Sequence, residues 1–175
     1  HDHIETLIEV MENLQNLSGN SVGALGAKVV PQSDNLNLIE SWIEAGLSSP
    51  LARGSGQFDQ FSGTEETKVP AFSLHLKRAV VDVGGWDTTF ITSQDSDLSM
   101  RMKNKGYQLY RTSDVEVRMA KRSSLQSWAK MGFRYGFWRT RLLKRHRNRI
   151  SFREYLPWLG FVMTIILFLS GVKYW

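Results

Sequence analysis

From Tyr155 to Val172 (YLPWLGFVMTIILFLSGV) no side chain is charged, and the preceding stretch 118–153 carries twelve Lys or Arg with no Asp or Glu. An uncharged run of that length approaches what is needed to cross a ~30 Å hydrocarbon core. A basic flank is what the positive-inside rule keeps on the cytoplasmic side. The pattern predicts a transmembrane helix over 155–172, with Tyr155, Trp158, Tyr174 and Trp175 at the interfaces and the KRHRNR cluster (144–149) cytoplasmic. The alternative is a buried core helix; Pro157, a first-turn residue, suits either. The expected location is the cell (inner) membrane, with the folded part on its cytoplasmic face.

The other residues must build whatever globular part there is. At 175 residues, 42% apolar and 22% charged, the chain has room for one ordinary domain and enough apolar side chains for its core. With no cysteine, disulfides and thiolate metal sites are excluded. The net charge of +5 is unevenly spread: residues 1–117 lean acidic and 118–153 are strongly basic. Such a basic block favours phosphate, on nucleic acid or on an anionic membrane surface. The chain opens at His1 and stops just after the apolar run, so it reads as a fragment of a longer protein.

Apolar residues at Ile4, Leu7, Ile8, Met11, Leu14 and Leu17 predict an amphipathic helix over 4–17. SVGALGAKVVP (21–31) reads as a buried strand closed by Pro31, 36–47 as a second helix, and polar 48–68 as a long loop. VPAFSLHL (69–76) reads as a strand leading into a short helix from Lys77, stopped by Gly84-Gly85. A helix of about ten residues then ends at Gly106, followed by a strand at 107–111 and a short one around Val115 and Val117. Ser123 or Ser124 caps a long basic, aromatic helix reaching about His146. Strands alternating with helices imply a layered α/β domain.

The chemistry concentrates in VGGWDTTFITSQDSDLSMRMKNKGYQLY (83–110). Gly84 and Gly85 allow a sharp backbone turn, and Trp86 and Phe90 pack the loop that follows. Gln94, Asp95 and Asp97 gather at a helix start, where the macrodipole favours negative charge. Arg101 lies four residues after Asp97 and can pair with it on one helix face. On spacing alone this is equally a helix cap with an ordinary i,i+4 ion pair.

In wider context the segment resembles the acceptor-side block of family 2 glycosyltransferases, closest to the succinoglycan-type exopolysaccharide glucosyltransferases. The resemblance rests on Gly84-Gly85-Trp86-Asp87, then Gln94-Asp95, Leu98, Arg101 and Gly106-Tyr107. It extends to the SSPLARGSG loop (48–56), to Lys77-Arg78 and to KRSSLQSWAKMGFRYGFWR (121–139), and so spans roughly 20–146. It implies a partial GT-A fold, a mixed sheet flanked by helices, over 1–120, a basic interfacial helix over 121–150, and the membrane helix after it.

The resemblance further implies an inverting sugar transfer from a nucleotide-diphospho-sugar donor to a lipid-linked or glycan acceptor. Asp95 would be the general base that takes the acceptor hydroxyl's proton. Gly85, Trp86, Gln94, Asp97, Arg101, Arg134 and Tyr135 would bind acceptor or donor. The donor diphosphate would need a divalent ion, Mn²⁺ or Mg²⁺, held in this family by an Asp-x-Asp or Asp-x-His motif before a helix. His1 fits the last position of such a motif; it fits an ordinary polar helix entry equally. Gln94 stands where the broader superfamily has an acid, and Ser96 where a second acid often occurs. Met131-Gly-Phe-Arg134-Tyr135 matches the processive enzymes' Gln-x-x-Arg-Trp only at Arg134 and loosely at Tyr135, which suits single-sugar transfer. The nucleotide-binding half is missing, so the fragment alone is expected to be inactive.

Two other readings compete. The basic, aromatic stretch would suit a nucleic-acid-binding module, although nucleic acid is not the expected partner. A noncatalytic membrane adaptor of GT-A shape is the other.

Overall fold

The computed structural model describes residues 2–18, 21–31, 36–48, 61–120, 124–150 and 155–172. In chain order these form α1 (Asp2–Ser18), β1 (Val22–Pro31), α2 (Leu38–Ser48), β2 (Thr64–Glu66), β3 (Leu74–His75), α3 (Lys77–Asp82), α4 (Gln94–Asn104), β4 (Gln108–Met119), α5 (Leu125–Arg145) and α6 (Leu156–Val172). A 3-10 turn, Arg147–Arg149, follows α5.

The four strands form one mixed sheet in the order β2-β4-β1-β3. Its centre is the long parallel pair β1–β4; β2 and β3 flank it antiparallel. Leu7 and Met11 of α1 pack on one face against Val22, Leu25, Ala27 and Val115. The other face buries Ala24 and Leu109 against Ala79 of α3 and Leu98 and Met102 of α4. Val22 and Leu25 share a face although strict alternation would separate them. The register shift between Val22 and Ala24 accounts for this, because an irregularity of one residue reverses the side-chain phase.

A second irregularity explains why β4 looks like two strands in the sequence. Thr112 pairs with Ala27 and Glu116 with Lys28, so three β4 residues have no opposite number on β1. There, Ser113 N donates to Gly63 O at 3.0 Å and Asp114 N to Thr112 Oγ1 at 3.2 Å. The predicted strand over 69–76 shrinks to Leu74–His75, because the preceding chain crosses tightly over β1. Ala27 N donates to Ala71 O at 2.9 Å, and a Cβ on Gly26 would stand 2.6 Å from both Ala71 O and Pro70 Cβ. The expected loop 48–68 contains β2, fixed by partners its polar residues do not advertise: Glu65 pairs with Arg111, and Lys103 Nζ lies 2.5 Å from Glu66 Oε1. Residues 49–60 of that loop fall outside the described ones.

Helix α5 docks by one strip: Trp138 and Leu142 bury against Phe90, while Phe133 (82% exposed) and Phe137 (60%) stay outside. Ser124 caps it as expected, its hydroxyl accepting from Ser127 N. The transmembrane expectation over 155–172 is corrected. At about 1.5 Å per residue, the 17 residues of α6 reach only about 26 Å, short of a ~30 Å hydrocarbon core. Among the described residues no helix is long and apolar enough to cross a membrane. Tyr174 and Trp175 fall outside the described residues, as does His1.

Candidate functional site

The site grows from the turn after α3. Gly84 and Gly85 have φ of +81° and +73°, in the left-handed region that only glycine occupies cheaply. Gly84 N donates to Val81 O at 3.0 Å and Gly85 N to Val80 O at 2.9 Å, closing α3. The carbonyls of Val83 and Gly85 are gripped by one guanidinium: Arg101 Nη1 donates to Val83 O, and Nη2 to Gly85 O at 2.7 Å. The third nitrogen, Nε, donates to Asp97 Oδ2 at 2.8 Å. The expected Asp97–Arg101 pair thus exists, and it also fixes the glycine turn against α4.

Asp97 is wholly buried, so its charge requires compensation. Besides Arg101, His146 Nε2 lies 2.8 Å from Asp97 Oδ1 and Arg145 Nε lies 3.5 Å from the same oxygen. Arg145 also binds Asp87, which accepts Thr89 N at 2.9 Å and Thr89 Oγ1 at 2.7 Å. The hydrogen bond from Arg145, then those from Thr89, hold the Asp87 carboxyl far below the usual carboxylate range. The same bond raises Arg145. Arg141 and Arg145 lie over the Phe90 ring at 5.5 and 5.8 Å, adding cation–π contacts to the seam.

Asp95 differs from Asp97 in its exposure. It is exposed on the first turn of α4, after Ser93, whose φ of +66° is unusual for a side-chain-bearing residue. Gln94 Nε2 donates to Ile91 O at 3.3 Å, and Thr92 Oγ1 is buried with no hydrogen-bond partner among the described residues. Trp86 is 45% exposed and meets the His75 ring edge-on, with centroids 5.5 Å apart and planes at 72°. Burial lowers the His75 pKa; the Asp95 charge and the Ser73 backbone pull it partly back.

Compared with protein-family models, curated proteins and solved structures, the chain matches none.

Of the expected site residues, Gly85, Asp97 and Arg101 form one hydrogen-bonded unit, while Trp86, Gln94 and Asp95 border it on the exposed side. Arg134 and Tyr135 sit exposed on α5, outside the contacts from Trp138, Arg141, Leu142, Arg145 and His146 that join it to the site. The expected ligand His1 lies outside the described residues, and no group of three His, Cys, Asp or Glu able to hold a metal occurs among the described ones. Sequence reasoning missed His75, Arg145 and His146. The available signal was that His75 and His146 are the two histidines beyond the first three residues.

Proposed function

We propose that this chain is the acceptor-side part of a GT-A-type, inverting glycosyltransferase that moves a sugar from a nucleotide-diphospho-sugar to a lipid-linked or glycan acceptor. The observation that carries this reading is the unequal fate of two neighbouring carboxylates. Asp97 is consumed by Arg101 and His146, whereas Asp95, one α-helical half-turn away, is exposed. Asp95 is thus the carboxylate available to a substrate. Its oxygen takes the proton of the acceptor hydroxyl as that hydroxyl's oxygen bonds to the anomeric carbon. The nucleoside diphosphate leaves from the opposite face, and the configuration inverts. Gln94 orients the attacking group, and Trp86 offers an aromatic surface to a sugar ring.

The outer face of α5, with Phe133, Arg134, Tyr135 and Phe137, suits an anionic membrane surface on the cytoplasmic side, where a lipid-linked acceptor resides. A Mn²⁺ or Mg²⁺ ion would balance the donor's diphosphate. His1, the ligand the resemblance implies, lies outside the described residues.

The test is nucleoside diphosphate release by the product of the intact gene in host membranes, across a panel of sugar nucleotides with a host lipid extract. Metal-dependent release that collapses in Asp95→Asn is expected. Undiminished release in that variant sinks the assignment of Asp95. Absence of release with every donor would turn the interpretation to a noncatalytic membrane-bound adaptor.

A further inference from the structure

His75 belongs to no part of the motif, yet the fold delivers it to the same place. It is held on β3 by pairing with Ala24 of β1, and Leu76 N donates to Gly23 O at 2.9 Å directly after it. Its ring meets Trp86 edge-on at 5.5 Å, and Ser73 Oγ lies 3.4 Å from its Nε2. Asp95 is near enough to act on it electrostatically. Strand β3, the turn after α3 and the start of α4 therefore bring an imidazole, an indole and a carboxylate towards one another.

We propose that His75, Trp86 and Asp95 form the subsite for one sugar ring of the acceptor, with His75 as a positioning residue hydrogen-bonded to a hydroxyl beside the attacking one. This rests on the glycosyl-transfer reading above and names the ring that site takes. A pyranose has an apolar C–H face and a rim of hydroxyls. An exposed indole covers the first, and an imidazole with a carboxylate meets the second. An imidazole nitrogen can donate to or accept from a hydroxyl, which is itself both donor and acceptor.

The experiment compares His75→Ala and His75→Gln with the native product of the intact gene, titrating acceptor extract and donor separately. The alanine variant is expected to raise KM for acceptor about tenfold, the scale of one lost hydrogen bond, with donor KM unchanged. Glutamine, which can still donate and accept, is expected to recover most of the loss. An unchanged acceptor KM, or equal losses for donor and acceptor, overturns the proposal. A readout that needs no turnover separates it from the parent reading: quenching of tryptophan fluorescence by a glucose disaccharide. If the native protein releases no diphosphate but binds the disaccharide, and His75→Ala abolishes that binding, the transfer reading fails and the subsite stands. Equal disaccharide binding in the two proteins, or none in either, overturns the subsite.

Discussion

His146 Nε2 and Asp97 Oδ1 lie 2.8 Å apart in the interior, joining the first turns of α4 to the residue that ends α5. Arg101 occupies the other carboxylate oxygen, so the helix that carries Asp95, the glycine turn and the basic helix meet at one buried charge. Removing that charge strands the cations around it. Asp97→Ala is expected to lower the unfolding free energy by about 3 kcal/mol or more, measured by denaturant titration. Asp95→Asn, at an exposed position, should change it by less than about 0.5 kcal/mol.

Leu142 is fully buried against Phe90 and Trp138. Leu142→Ala should cost about 3 kcal/mol of α5 docking. Amide exchange would then speed up in α5 while β1 stays protected; equal loosening of both would contradict a separately docked helix.

Gly26 admits no Cβ without pushing back the backbone at Ala71. Gly26→Ala is expected to cost about 1–3 kcal/mol by overpacking, seen as a lowered Tm. Gly46→Ala, where the added carbon meets nothing within 4 Å, serves as the control.

Acid should weaken the fold in two windows. His75 has a folded pKa below its ordinary 6.5, so the unfolded chain binds its proton first. The stability this gives is present above 6.5 and is lost as pH falls from there to the folded value. Asp87, also lowered, holds its contribution above 3.8 and loses it as pH falls further. Denaturant titrations between pH 8 and pH 4 should show the first loss, and His75→Gln should flatten it.

The same histidine reports on Asp95. Because the Asp95 charge raises His75 against the effect of burial, Asp95→Asn should lower the His75 pKa further, followed through its ring proton shifts. An unmoved titration would mean the two side chains do not sense each other.

Most helices and the long first strand were legible because their signals are local. Leu7, Met11 and Leu14 mark a helix face, Gly106 at φ +91° stops α4, and Arg101 follows Asp97 by one turn. What stayed hidden depends on contacts distant in sequence. β2 reads as loop because Thr64, Glu65 and Glu66 are polar and exposed, and only pairing with Thr112, Arg111 and Tyr110 makes them a strand. β4 reads as two strands because its interruption is filled by Gly63, not by β1. His146 and Arg145 read as members of the basic cluster that precedes the apolar run. Their part in the site appears only when α5 returns to α4 and Asp97 and Asp87 receive them.

Arg101's hold on the Gly85 carbonyl reaches one atom pair further than the turn itself. In a trans peptide the C=O and the next N–H point in opposite directions. With the carbonyl fixed toward the guanidinium, the Trp86 amide hydrogen is turned the other way, away from α4. A distant side chain thereby sets the compass bearing of a main-chain donor, and an oxygen arriving at Trp86 meets a hydrogen already aimed.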